Sequence, residues 1–221
     1  KGTNIWATPI DIAPWDPSIN NGAGGAGTAP YDTGDGPRTT PSVRDGRVIA
    51  FSGLMQLVCM NFTNGSILWS NNLPAAYGAS TIPWDNAASP CLDNDLVFVN
   101  LNSSPNSQNL AAFRVADGGL AWSSQNENVT HTTPAVATIQ GLRQVIFATQ
   151  TGLVSLDRTT GALLWKFTYP FGSIGTSMGA SPVVYSNIVY CTASYGKGAA
   201  AAQITLTNST WTVTQLFYKT G

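Results

Sequence analysis

His131 is the only histidine in the 221-residue chain. A metal centre built on imidazoles, or acid–base chemistry using two histidines, is therefore excluded within it. Asp and Glu total 11. Only Asp93/Asp95 and Asp32/Asp35 stand close together, both in turn-like sequence where solvated carboxylates are the norm. Calcium takes six or more oxygens, usually including several carboxylates, and no such set is legible. His-Glu-X-X-His and Cys-X-X-Cys-His are absent, which removes the signatures of a zinc protease and a covalent haem. Cys59, Cys91 and Cys191 each sit in an apolar strand-like run and read as three small buried thiols, with one disulfide plus one free thiol as the alternative. No catalytic residue and no metal site are predicted.

The elements that would position any site are clearer. Ser155-Leu156-Asp157-Arg158-Thr159-Thr160-Gly161-Ala162-Leu163-Leu164-Trp165 reads as a strand end, a tight turn closed by Gly161, and a second strand carrying Trp165. The frame recurs from Cys59 through Asn61, Asn64 and Gly65 to Trp69, and from Ala112 through Gly118 to Trp122. Its tail appears as Gly2-Thr3-Asn4-Ile5-Trp6. Four of the seven tryptophans thus have a glycine four residues earlier, where chance would give roughly 0.7 such pairs, so the chain is an internal repeat. Units open at prolines 41, 90, 134 and 182, with gaps of 49, 44 and 48 residues. Four short strands per roughly 45 residues is the period of a β-propeller blade.

The expected organisation is all-β and one propeller domain. Residues 1–6 form the last strand of a preceding blade, 7–37 a long Gly/Pro-rich loop, and 38–74, 88–125, 131–169 and 180–221 four blades. The last blade is degenerate, with Phe217 roughly where the tryptophan should be. The turn glycines supply positive φ between the two outer strands. The tryptophans, large and apolar with one N–H, suit the seam between adjacent sheets. Gly2, Trp6, Asn61, Gly65, Trp69, Gly118, Trp122, Asp157, Gly161 and Trp165 are accordingly assigned to blade docking.

Only 10% of residues are charged, against roughly 25% in a typical soluble domain. Asn, Ser, Thr and Gly must cover the surface, a composition of β-rich and often extracellular proteins. A net charge of −1 without a basic run argues against nucleic acid, which needs clustered Lys and Arg. No apolar run suggests a transmembrane segment. Asn61, Asn64, Asn102, Asn128 and Asn208 stand in Asn-X-Ser/Thr sequons and are candidate glycosylation sites in a secreted eukaryotic protein.

The repeat resembles the PQQ-type propeller, the superfamily of quinoprotein alcohol dehydrogenases and the outer-membrane assembly lipoprotein BamB. Ser155, Asp157, Thr160, Gly161 and Trp165 follow the family's Ala-X-Asp-X-X-Thr-Gly-X-X-X-Trp with one departure. Asn61, Asn64, Gly65 and Trp69 follow it with Asn at the Asp and Thr positions. Ala112, Gly118 and Trp122 keep the frame, while Arg114 and Asp117 replace Asp and Thr. The resemblance implies seven or eight blades, of which this chain would supply about four plus one strand. Remaining blades, a protein partner or a second copy would then complete the ring.

The resemblance also implies that the end of each blade where the innermost strand begins faces the central channel. Arg38, Trp84, Asp85, His131 and Met178 precede the unit-opening prolines. With Tyr195 and Lys197 from the Ser194–Gly198 turn, they form a candidate ligand-binding channel mouth. The expected function is a non-catalytic extracytoplasmic scaffold for binding or assembly, periplasmic, secreted or at the cell surface, with no cofactor in this chain. The alternative is part of a PQQ- and Ca²⁺-dependent alcohol or sugar dehydrogenase whose catalytic residues lie outside it. A carbohydrate-binding propeller rests on aromatic content alone.

Overall fold

The computed structural model describes residues 2–10, 38–82, 85–103, 108–175 and 178–221. They form four four-stranded antiparallel sheets, each made by four consecutive strands in sequence order. The first sheet is β1 (Ser42–Arg44), β2 (Arg47–Phe51), β3 (Gln56–Asn61) and β4 (Ile67–Asn72). The second is β5 (Cys91–Asp93), β6 (Leu96–Asn100), β7 (Leu110–Arg114) and β8 (Leu120–Ser124). The third is β9 (Ala135–Ile139), β10 (Leu142–Ala148), β11 (Gly152–Asp157) and β12 (Leu163–Thr168). The fourth is β13 (Val183–Tyr185), β14 (Ile188–Ala193), β15 (Gly198–Thr207) and β16 (Thr210–Lys219). The innermost strands β1, β5, β9 and β13 adjoin one another in series, the arrangement of successive propeller blades.

The central strands are mostly apolar because both of their faces are buried. Along β6, Val97 and Val99 pack with Ile49, Phe51 and Leu57 of the first sheet. Leu96 and Phe98 point the other way, to Val145, Phe147 and Leu156 of the third. Alternation of period two survives, but it sorts residues between two neighbouring blades instead of between core and water. The seam between the third and fourth sheets repeats this with Ile146, Leu153, Trp165 and Phe167 against Val189, Ala200, Ala202 and Ile204. Each such fully buried Leu, Ile or Phe stabilises the fold by about 1.5–3 kcal/mol, and neighbouring blades share that gain. The free face of the first sheet, at Val48, Ala50, Val58 and Met60, is packed by Trp6 and Ile10.

Two features differ from the sequence expectation. Residues 2–6 form no strand, contrary to expectation, since among the described residues no neighbouring strand pairs with them. Leu73–Tyr77 forms a short helix, α1, absent from the sequence reading. Asn72 caps it by accepting from the Ala75 amide at 3.0 Å, Pro74 fits its first turn, and Gly78 (φ 64°) ends it. Of the long 7–37 loop, residues 11–37, with Asp32 and Asp35, lie outside the described residues.

The three cysteines carry free thiols, Cys59 and Cys191 buried and Cys91 partly so. Burial pushes the Cys91 thiol up to about 12 and that of Cys191 also to about 12. Thiolate, the reactive form, is then scarce at neutral pH. Native protein at pH 8 is expected to release no colour from a thiol-exchange disulfide reagent within minutes. After denaturant is added, three equivalents should react; a fast equivalent before denaturation would contradict this burial.

Candidate functional site

Two kinds of built feature stand out, the seams between blades and a cavity at one blade end. At each seam, a turn joins the third and fourth strands of one blade. The Asn61 carbonyl accepts from the Gly65 amide at 2.9 Å, the Arg114 carbonyl from Gly118 at 2.8 Å, and the Asp157 carbonyl from Gly161 at 2.9 Å. Asn61 Oδ1 also accepts from the Thr63 amide at 2.8 Å, and Asp157 Oδ1 from the Thr160 amide at 2.7 Å. The turn glycines have φ of 70°, 73° and 72°.

A tryptophan from the preceding segment lies over each glycine. A Cβ at Gly65 would come within 2.5 Å of the Trp6 ring, at Gly118 within 2.7 Å of Trp69, and at Gly161 within 2.7 Å of Trp122. The indole N–H groups donate to the carbonyls of Phe62 at 2.9 Å, Val115 at 2.9 Å and Arg158 at 3.0 Å. A Cβ at Gly2, by contrast, would meet nothing within 4 Å.

Trp165 departs from this pattern. Its N–H donates at 2.7 Å to Gln144 Oε1 of its own sheet, and Ser155 Oγ donates to the same oxygen at 2.6 Å. The cause lies in the fourth blade. Phe62, Val115 and Ile204 donate their amides to equivalent turn carbonyls, those of Gly46, Asp95 and Asn187. Phe62 and Val115 stand in turns, whereas Ile204 stands inside a continued ladder opposite Val213. That ladder reverses only at Asn208 and Ser209, both with positive φ.

Phe217 occupies the tryptophan position in register. Cys59↔Trp69, Ala112↔Trp122 and Ser155↔Trp165 each precede a bulge, as does Ala201↔Phe217.

Asp93 corrects the sequence reading. Far from a solvated turn residue, it is 4% exposed and binds two arginines of the next blade. Arg143 donates to Oδ1 at 2.6 Å, and Arg158 to Oδ2 at 2.7 Å and to the Asp93 carbonyl at 2.7 Å. Arg158 also pairs with Asp95. The hydrogen bonds from Arg143, with both guanidinium charges, hold the Asp93 carboxyl below the usual range despite its burial. The arginines stand 50 and 65 residues away in sequence, so no local pattern could reveal the cluster.

The predicted channel-mouth residues divide. Met178, Tyr195 and Lys197 wall one cavity of about 260 Å³, completed by Ile174, Gly175, Ala193 and Ser194. Lys197 Nζ donates to the carbonyls of Ser173 at 3.1 Å and Phe171 at 3.5 Å. Tyr169 Oη donates to Met178 Sδ at 3.7 Å. His131 joins this group through its backbone, donating its amide to the Met178 carbonyl at 3.0 Å.

Arg38 and Asp85 do not line the cavity. Burial raises the Asp85 carboxyl above the usual range, opposed by a Thr81 hydrogen bond and by the charge of Arg38. Trp84 lies outside the described residues. Sequence reasoning missed Ile174, Gly175, Ala193 and Ser194, whose small or apolar types carry no chemical signal. Of the sequons, Asn64, Asn128 and Asn208 are exposed, whereas Asn102 Nδ2 already donates to the Ser80 carbonyl and hydroxyl.

A quinone–calcium centre needs free oxygen ligands. Asp93, Asp95, Asp117 and Glu127 are instead paired with Arg or Lys, and Asp157 caps its own turn. These five carboxylates are therefore not open to such a centre, and among the described residues no three His, Cys, Asp or Glu side chains are grouped to hold a metal ion.

Comparison with known proteins gives a consistent relation. The family described as outer membrane protein assembly factor BamB matches residues 1–218. No curated protein matches the chain. BamB from Moraxella catarrhalis superimposes with a TM-score of 0.56 at 17% identity, over 85% of this chain and 51% of its own. A europium-containing methanol dehydrogenase gives 0.51 at 12% identity, over 75% of this chain and 45% of that one. A quinohemoprotein alcohol dehydrogenase from Pseudomonas putida HK5 gives 0.50 at 16% identity, over 74% and 28%. The chain thus spans about half the length of these relatives, or less, and at such identities the likeness is one of fold. Repeat, sheet order and family match agree: the chain is a β-propeller protein of the PQQ-like repeat family described as outer membrane protein assembly factor BamB.

Proposed function

We propose that this chain is a non-catalytic, extracytoplasmic binding or assembly scaffold, with the tryptophan–glycine contacts serving to dock its blades. The observation that carries this reading is the commitment of its carboxylates. Asp93 and Asp95 are taken by Arg143 and Arg158, so acidic groups that sequence proximity would offer to a metal are used to join two blades. Low charge and an Asn-, Ser- and Thr-rich surface suit life outside the cytoplasm. The family's description as an assembly factor points to a protein partner.

The test uses the exposed turn at Ser194, near the cavity, and Ser66 as a control. The turns between second and third strands lie at one blade end and those between third and fourth at the other, so the two positions report opposite ends. Because burial raises all three native thiols and leaves little thiolate, S194C or S66C would take a benzophenone-maleimide selectively. Irradiation with an extracytoplasmic fraction of the source organism should give a discrete protein adduct from S194C and none from S66C. In parallel, pyrroloquinoline quinone with Ca²⁺ should leave tryptophan fluorescence unchanged and support no dye reduction with alcohols. A stoichiometric quench with dye reduction would overturn the scaffold reading.

A further inference from the structure

The hairpin between β14 and β15 turns at Tyr195 and Gly196, with φ of 58° and 73°, closed by the Lys197 amide donating to the Ser194 carbonyl at 3.3 Å. Positive φ at both central positions is the type I′ pattern, which favours Asn or Asp followed by Gly. The comparable positions elsewhere hold Asp45, Gln140 and Asn208. Tyr195 is the only aromatic residue with positive φ among the described residues, and a bulky side chain there is strained. Its ring is also 84% exposed. Packing among the described residues therefore explains neither the strain nor the exposure, and strain retained at such a position points toward function.

The ring stands at the rim of the cavity walled by Ile174, Met178 and Ala193. Two walls are held in place. Lys197 Nζ clamps the carbonyls of Phe171 and Ser173, and Met178, 3% exposed, is fixed against Tyr169. Beneath them Tyr169 and Phe171 stack at 4.8 Å.

Size and chemistry narrow what fits. At about 260 Å³ the cavity is smaller than the roughly 300–1,000 Å³ of ordinary small-molecule sites. A saccharide would need several polar partners, and among the described residues the lining offers only the Ser194 hydroxyl beside an ammonium already bonded to two carbonyls. A single apolar side chain needs neither more room nor more polarity.

We propose that this cavity is an anchor pocket for one aromatic or branched aliphatic side chain of a polypeptide, with Tyr195 as its lip. It would be a hot spot of the kind that dominates protein interfaces. The proposal rests on the scaffold reading and names the chemistry that the scaffold recognises.

The chain has three methionines, which makes a methyl-¹³C-methionine spectrum a direct probe. Met55 and Met60, buried in the first blade, serve as internal references. N-acetyl-phenylalaninamide and N-acetyl-leucinamide should shift the Met178 methyl saturably at millimolar concentration and leave the other two in place. Methyl glucoside should do nothing. Tyr195→Asn should weaken the phenylalaninamide response at least fivefold while raising Tm by about 2 °C, because Asn tolerates the left-handed region.

A Met178 response to glucoside, no response to either amide, or full affinity in Y195N would each overturn the pocket. If the amides fail while the position-194 adduct forms, the scaffold reading stands without this pocket. If the amides bind and no adduct forms, the pocket stands and the scaffold reading falls.

Discussion

Gly118→Ala should destabilise the protein by about 3 kcal/mol, far more than one added methyl ordinarily does. Two effects combine. The residue has φ of 73°, where an L side chain costs about 1–2 kcal/mol. The new Cβ would also lie 2.7 Å from Cδ2 and Cε3 of Trp69 and 3.2 Å from the Asn71 amide nitrogen. The indole cannot withdraw cheaply. Its N–H is bonded to the Val115 carbonyl at 2.9 Å, which also accepts from Arg47 at 3.0 Å, and Asn71 donates to the Gly118 carbonyl at 2.5 Å. Urea unfolding followed by tryptophan fluorescence measures the loss. Gly141→Ala is the control, because φ there is 79° but nothing lies within 4 Å; it should show the backbone cost alone. Equal losses for the two variants would mean that the ring contact contributes nothing.

Asp93→Asn should cost about 3–5 kcal/mol, the range for removing one partner of a buried ion pair. Arg158 is left worst off, since its side chain is only 12% exposed, while Arg143, 47% exposed, regains water. The same pair sets a pH dependence. The folded-state value of Asp93 is lowered, so its contribution is fully present above the unfolded value of about 3.9. It is lost as pH falls through the folded value. Wild type should therefore lose stability steeply below about pH 4, and D93N should show a shallower acid limb from a lower plateau. Parallel limbs in a urea–pH series would show that the pair does not couple stability to protonation.

What the sequence made legible was whatever repeats. Trp69, Trp122 and Trp165 stand at fixed distances from Gly65, Gly118 and Gly161 because one turn geometry recurs, and recurrence can be read without knowing what touches what. Phe217 was readable for the same reason, and the bulge beside it marks the same register. The Asp93 cluster was not, because its strength lies between blades and depends on side chains brought together only by closure of the second sheet on the third. The site was half legible. Met178, Tyr195 and Lys197 announce themselves by type, but Arg38 and Asp85 share their place in the repeat without sharing their surroundings. Position in a blade fixes which end a residue occupies, not which neighbour it meets. Helix α1 escaped because Leu73-Pro74 after a strand reads as a loop until Asn72 is seen to cap it.

The inward turn of the Trp165 N–H has a mechanical consequence. Directional bonds, which resist rotation, pin the first seam through Trp69 and Arg47 and the second through Trp122, Arg143 and Arg158. At the third, the indole is satisfied within its own sheet, and the directional bonds lie at the cavity end, from Lys197 to the Phe171 and Ser173 carbonyls and from the His131 amide to Met178. Away from that end the two blades meet through apolar residues such as Phe167, Val189 and Ala202. Apolar contact is non-directional, and its energy changes little with a few degrees of tilt. Torque on the assembly would therefore open this joint away from the cavity, with the Lys197 clamp as the hinge. The last blade could then tilt while the cavity walls at Ile174 and Ala193 keep their spacing and the first three blades stay undistorted.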